Sequence, residues 1–555
     1  MNNVLKREAR LILLVLAGVC SLYAAPQAPS PVTPQPFLQQ RIAAAQRELG
    51  PLPQFRGQVE KFYAASNGQP AWLHDTQLTP QGRALVLLLE GAAQKGLRPH
   101  DYGDWPALLA QLYAAKTNRQ RLAIDVTLTA AAMRYISDLH FGRVTPEAMG
   151  FALGAREKHF GLADFLTAHV VHAANVEQAI AAAEPPFAGY WRMLAALQRL
   201  EAIAPDTSYK PLPVPRKSIH PGEAYAALPQ LVARLRLMGD LPRNATLPTD
   251  ETMYKGAIVE AVKHFQDRHG LAADGVLGRA TIAALNVPLA YRIEQLELTL
   301  ERWRWVPQTL PLPAIVVNIP EFRFYLIGRD YRWLMIQKII IGKSYHHKTP
   351  VFVAQMRSVI FRPYWNVPYS IQRKELVPRI ARDPGYLARN DYEIVNAANH
   401  PVDVSAGSPA VLAQLRSGAL KIRQLPGDKN SLGLIKFEFP NRYDVYMHGT
   451  PATQLFSHTR RDFSHGCIRV EHPAALAEWL LRDLPGWTPE KIQDAMHGAA
   501  TLTVNLPQPL TVVIIYGTAV VSPDGEIRFL QDIYGYDAKL KRALARPRPK
   551  ITAGL

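Results

Sequence analysis

Cysteine is almost absent from this sequence: Cys20 and Cys467 are the two in 555 residues. Cys20 lies inside an N-terminal segment that reads as an export signal. A chain that has lost the segment keeps one thiol and can form no internal disulfide. In an oxidising compartment such a thiol is a liability unless it is buried or used. Long apolar runs are also missing, since nothing beyond the N-terminus reaches the roughly 20 residues a membrane span needs. Acidic residues are the minority, with 46 Asp and Glu against 63 Lys and Arg, a net charge of +17. The basic residues are dispersed, with mild clusters at Arg373 to Arg382 and Lys541 to Lys550. No nucleic-acid-binding module is recognisable, so no nucleic-acid partner is expected. For an exported chain the fitting polyanions are cell wall, lipopolysaccharide and anionic lipid.

The sequence has ample material for several cores: 48% of its residues are hydrophobic and 20% charged. Its length predicts about two to four domains. Lys6, Arg7 and Arg10 precede the apolar run Leu11 to Cys20, and small residues follow, which predicts a signal peptide over 1–24 and a periplasmic chain. The alternative is an uncleaved anchor, the one route to a membrane association. Residues 25–39 form a Pro-rich linker. From 40 to 208 the pattern is helical. Thr79 caps, Pro80 opens, Leu85, Leu88, Leu89 and Ala92 make one stripe, and Gly96 ends that helix. Tyr209 to Pro221 reads as a linker.

Residues 222–290 look like a small helical domain, with Ile258, Ala261, Val262 and Phe265 on one face and Asp274-Gly275 in a turn. Ala261-Val262-Lys263-His264-Phe265-Gln266, Gly270-Leu271, Asp274-Gly275, Gly278, Thr281 and Ala284-Leu285-Asn286 resemble the signature of the three-helix peptidoglycan-binding domain. From 312 to 540 the pattern turns to strands, with 368–430 interrupting as a flap and 541–555 left as a basic tail. The expected fold class is multidomain α+β, with an all-α N-terminal scaffold, the three-helix domain and a mainly-β C-terminal domain.

The chemistry centres on Cys467. Cys467 comes nineteen positions after His448, in Tyr446-Met447-His448-Gly449-Thr450 and Ser464-His465-Gly466-Cys467-Ile468-Arg469. A nearby imidazole can take the thiol's proton and hold thiolate as an ion pair. Gly449 and Gly466 let backbone approach a ligand, and a turn before Cys467 can aim amides at an oxyanion. Zinc held by His448, His465, Cys467 and His458 or His472 is an alternative, although His-x-Cys is poor spacing for it. A buried inert cysteine is another. Spacing alone does not choose between His448 and His465 as base.

This pair of segments resembles the signature of L,D-transpeptidases. Glu301-Arg302-Trp303-Arg304-Trp305, Tyr364-Trp365-Asn366-Val367-Pro368, Arg382 to Leu387, Lys436-Phe437, Phe439-Pro440-Asn441 and Asp532-Ile533-Tyr534-Gly535 extend the likeness. Gln69-Pro70-Ala71-Trp72 and Gly96-Leu97 to Asp101-Tyr102 are similar to the scaffold of large multidomain members. The resemblance implies Cys467 as nucleophile and His448 as base. His465 and Gly466 would shape the oxyanion pocket, with Ser464 and Gly449 in support and Arg469 on a substrate carboxylate or loop carbonyl. It further implies no metal or other cofactor, and peptidoglycan as partner, with a tetrapeptide stem as donor and a diamino-acid side chain as acceptor. The product is a 3→3 cross-link, and cell-wall synthases are candidate partners. Carboxypeptidase action and lipoprotein attachment share the thioester and stay open, as does a non-catalytic wall-binding scaffold. Acylation by carbapenems is a family-level implication.

Overall fold

A computed structural model describes residues 36–154, 160–204, 210–250, 252–345 and 347–554. The expected signal peptide and most of the Pro-rich linker lie outside the described residues. Helix Pro36–Leu49 opens within the stretch expected to be linker, because Leu38 and Ile42 are already buried against the scaffold.

The scaffold is built around helix Asn118–Phe141, which is buried from Ala123 to His140. A helix buried on all sides must have its polar groups matched. The Asp125 carboxylate accepts from Tyr63 Oη at 2.6 Å and from the Ala71 and Trp72 amides at 3.1 and 2.8 Å. Trp72 Nε1 donates to Thr129 at 2.8 Å. The Gln69-to-Trp72 segment is thus a docking loop, and burial pushes the Asp125 carboxyl up to about 6. Thr79 caps helix Pro80–Glu90 by accepting from the Gly82 amide. That helix ends at Glu90 rather than at Gly96. A 3-10 turn, Ala92–Lys95, carries the chain on to Gly96, whose φ of +66° closes the turn.

Helices Leu228–Met238, Ala257–Arg268 and Arg279–Leu285 enclose a core containing Ile258, Ala261, Val262 and Phe265. The motif residues between them form one hydrogen-bond knot. Gln266 donates to Asp274, Val276 and Thr281 at 2.9, 3.1 and 3.1 Å and accepts from the Gly275 amide at 2.8 Å. The preceding Pro-rich stretch is pinned rather than free: Leu212 is buried and exchanges two hydrogen bonds with Asn286.

The C-terminal domain is a closed barrel of eight strands. Around the barrel run Ile435–Glu438, Met447–His448, Ile468–Val470, Trp333–Ile340, Arg323–Ile327, Ala314–Asn318, Leu502–Ile515 and Val353–Phe361, which closes on the first. Leu502–Ile515 is one long strand whose pairing register shifts between Asn505 and Leu510. Pro507 and Pro509, which lack a ladder donor, occupy the shift. In helix Pro473–Leu481 the buried side chains are Leu476, Ala477 and Leu481, whereas Leu480 and Leu484 are half-buried. Leu484 falls past the helix end. The flap is a folded unit, with a three-stranded sheet of Trp365–Asn366, Lys421–Gln424 and Tyr392–Val395 and its own apolar core. Its two ends meet where the Arg362 amide donates to the Leu434 carbonyl at 2.8 Å.

Two devices join the domains. Glu301 accepts from the Val144 amide at 2.8 Å, while Arg302 pairs with Asp537 at 2.6 Å and Arg304 reaches the Lys95 carbonyl. The Glu301-to-Trp305 segment therefore ties the helix Leu289–Trp303 to both large domains. The second device is the basic tail, which is a packed strap rather than a solvated segment. After helix Tyr536–Leu544 it returns to the scaffold, where Arg548 grips Asp138 with two bonds of 2.5 and 3.0 Å. Ile551 and Ala553 are buried among the scaffold helices. No helix of the described residues is long and apolar enough to cross a membrane.

Arg548→Ala would leave the buried Asp138 carboxylate without its cation. The expected loss is roughly 3 kcal/mol in the scaffold's unfolding transition, read as a lower urea midpoint by tryptophan fluorescence. An unchanged midpoint would show that the strap contributes nothing.

Candidate active site

Met447–His448 and Ile468–Val470 pair in parallel, with Met447 opposite Ile468 and His448 opposite Arg469. Parallel neighbours need a long crossover, and the chain between His448 and Cys467 supplies it. Side chains alternate across a strand, so Phe437, Met447, Ile468 and Val470 enter the barrel core. Lys436, Tyr446, His448, Cys467 and Arg469 share the opposite face.

The structure brings the expected residues together. His448 is buried, and its Nδ1 lies 2.6 Å from the Gly449 carbonyl. That carbonyl must accept, so Nδ1 carries the proton and Nε2 keeps a lone pair. Cys467 is half-buried, with Sγ 3.7 Å from the Asp444 carbonyl. Tyr446 lies close enough to the same sulfur to favour its thiolate form. Ser464 ties the turn, accepting from the Gly466 amide at 3.1 Å and donating to the Cys467 carbonyl at 2.6 Å. Gly466 has φ +122°, where a side chain would be strained. Its carbonyl accepts from Thr349 Oγ1 at 2.8 Å. His465 Nε2 meets Glu375 of the flap at 2.5 Å.

Arg469 is half-buried beside His448 and Cys467, with its Nε buried and without a partner. Its charge acts on both. Burial, the Arg469 guanidinium and the Lys436 ammonium together pull His448 down to about 3. Burial pushes the Cys467 thiol above its ordinary value, although Tyr446, Lys436 and Arg469 oppose the rise. Both shifts favour a neutral thiol beside a neutral imidazole. A standing thiolate–imidazolium pair is not what this pocket stabilises. His458 and His472 lie apart, against Phe463 and Glu471 respectively. Among the described residues no group of three or more His, Cys, Asp and Glu side chains gathers in a way that could hold a metal ion.

The comparisons with known proteins follow the same division. Residues 57–197 match the family described as "Scaffold domain", 226–285 match "Putative peptidoglycan binding domain", and 313–515 match "L,D-transpeptidase catalytic domain". A Haemophilus influenzae protein described as "Putative L,D-transpeptidase" is 30% identical over 278 residues, which cover 49% of this chain and 55% of the relative. The chain thus spans about half the length of the curated relative it matches.

Several residues of this site were not singled out from sequence. Tyr446 could have been, because it lies two positions before His448 and so on the same face of the strand. Gly433 has φ +64°, and a Cβ there would sit 2.6 Å from the Thr450 amide. This close approach seats the His448–Thr450 backbone. Trp365, in the flap, acts on the Tyr446 hydroxyl and partly offsets the upward push of burial on it. Glu375 gave no local signal, since it reaches His465 from another part of the chain.

A neutral resting pair has a pH signature. Alkylation of Cys467 by iodoacetamide is expected to keep rising through pH 9, with no plateau near neutrality. A plateau reached by pH 7 would reveal a preformed thiolate. Arg469→Gln removes a cation that favours the thiolate, so its curve should move to higher pH; a curve moved downward would contradict the assigned sign.

Proposed function

We propose that this chain is a periplasmic cysteine L,D-transpeptidase that forms 3→3 cross-links between peptidoglycan stem peptides. The observation that carries the reading is the shared face of Tyr446, His448, Cys467 and Arg469 on the two parallel strands. Cys467 sulfur attacks the carbonyl of the third-position diamino acid in a donor tetrapeptide. His448 Nε2 takes the thiol proton as the carbon–sulfur bond forms, rather than beforehand, because the pocket disfavours a separated ion pair. Nearby Lys436 and Arg469 favour the negative charge that develops on sulfur and oxygen. The tetrahedral centre collapses, the imidazolium returns its proton to the departing amine, and D-Ala leaves. A thioester remains on Cys467. The side-chain amine of a second stem attacks it, His448 accepts the amine's proton, and the regenerated thiolate recovers it. No redox change or external energy source is needed.

His465 is disfavoured as the base because its Nε2 is taken by Glu375. Its place, with Gly466 and Ser464, is in holding the turn beside the sulfur, while Gly449 orients His448. Arg469, with an unpartnered Nε, suits a carboxylate of the stem peptide. The three-helix domain would keep the chain on glycan near its targets.

Incubation with tetrapeptide-rich sacculi, followed by muropeptide mass spectrometry, should yield 3→3 dimers. Cys467→Ala should yield none, and His448→Ala should lose about two to four orders of magnitude in rate. Tripeptides without dimers would replace cross-linking by carboxypeptidase action. Full turnover by Cys467→Ala would end the proposed chemistry, as would loss of activity to a chelator with resistance to iodoacetamide.

A further inference from the structure

The turn from Ser464 to Cys467 is held from two directions. On the barrel side the Ser464 amide donates to the Ile341 carbonyl at 2.9 Å, and the Lys343 amide donates to the Ser464 carbonyl at 3.0 Å. Thr349 ties Gly466 from the same side, and Tyr534 supports it by donating to the Gly342 carbonyl at 2.5 Å and accepting from the Thr349 amide at 3.1 Å. On the flap side stands Glu375, in the π-helical turn Gln372–Leu376. Its Oε1 is 2.5 Å from His465 Nε2, with both side chains about one-third exposed. The His347 ring lies against the His465 ring at 4.7 Å and 65°. The imidazole is thus held between a neighbouring ring and a carboxylate from a separately folded unit. Lys343 and Lys374 also act on this group of side chains.

We infer that Glu375 is a positioning residue, which couples seating of the flap to the geometry of the nucleophile turn by fixing His465. Glu375 is not placed against the reacting atoms. It acts through the ring two residues before Cys467, and a ring held at Nε2 cannot swing the Ser464–Cys467 backbone away from its barrel partners. The flap core is separate from the barrel core, so the flap can move as a unit without unfolding the barrel. Such a movement would break the Glu375 contact and loosen the turn. Donor peptide would thereby meet a fully ordered turn when the flap is down. The inference rests on the proposed transpeptidase function for its kinetic arm but not for its structural arm.

The test compares Glu375→Ala and Glu375→Gln in the full-length protein. A charge-assisted hydrogen bond of this kind predicts a roughly tenfold lower kcat for Glu375→Ala. Glu375→Gln keeps an acceptor oxygen and should restore most of that rate. In a His465→Ala background, Glu375→Ala should add no further loss. Amide hydrogen exchange, which needs no substrate, should quicken at residues 464–467 and 372–376 in Glu375→Ala alone. Unchanged exchange at 464–467 would overturn the inference, as would multiplicative losses in the double variant or equal losses in the Ala and Gln variants. If the wild-type protein made no product while exchange still quickened at 464–467, the proposed reaction would fall and the coupling would stand.

Discussion

The parallel pairing of two very short strands is the constraint on which the site depends. Two backbone registers, Met447 with Ile468 and His448 with Arg469, decide the neighbours of every polar group there. Slipping one strand by a single residue would turn Cys467 into the core and Ile468 toward the cleft. The register is anchored from inside by Phe437, Met447, Ile468 and Val470, all buried in the barrel core. Packing of apolar side chains thus sets the positions of the polar ones on the other face.

Electrostatics then set the resting state of that face. Burial alone would raise a thiol and lower an imidazole, and the cations at Arg469 and Lys436 deepen the second effect. The result is a thiol kept protonated at rest. Oxidants attack thiolate far more readily than thiol. A neutral resting thiol is therefore protected from oxidation. In the proposed reaction the chemical step must therefore move the proton during attack.

Much of this was legible in the sequence, for identifiable reasons. The nineteen-position spacing from His448 to Cys467 is the length of a crossover between parallel strands, so spacing encoded topology. The Gln266, Asp274-Gly275 and Thr281 pattern encoded a single hydrogen-bond knot, which fixed spacings can reveal. What could not be read depended on contacts between distant segments. Nothing near Glu375 points to His465, and nothing in the basic run around Arg548 announces a buried partner at Asp138. Charge clusters suggest solvent, and only the folded chain shows which charges are paired. The helix expected to run to Gly96 stops at Glu90 because the chain there tightens into a 3-10 turn, a boundary that apolar spacing does not mark.

The scaffold and the barrel are joined through the Glu301-to-Trp305 segment and the C-terminal strap. All of it is built around a single sulfur, whose acylation is the claim that matters most. Incubation of the full-length protein with a tetrapeptide donor and no acceptor, followed by rapid acid quench and peptide mapping by mass spectrometry, tests it directly. The expected result is one tripeptide adduct, carried as a thioester on Cys467 and released by hydroxylamine. An adduct on any other residue, or product formation with no adduct trapped at Cys467, would contradict it.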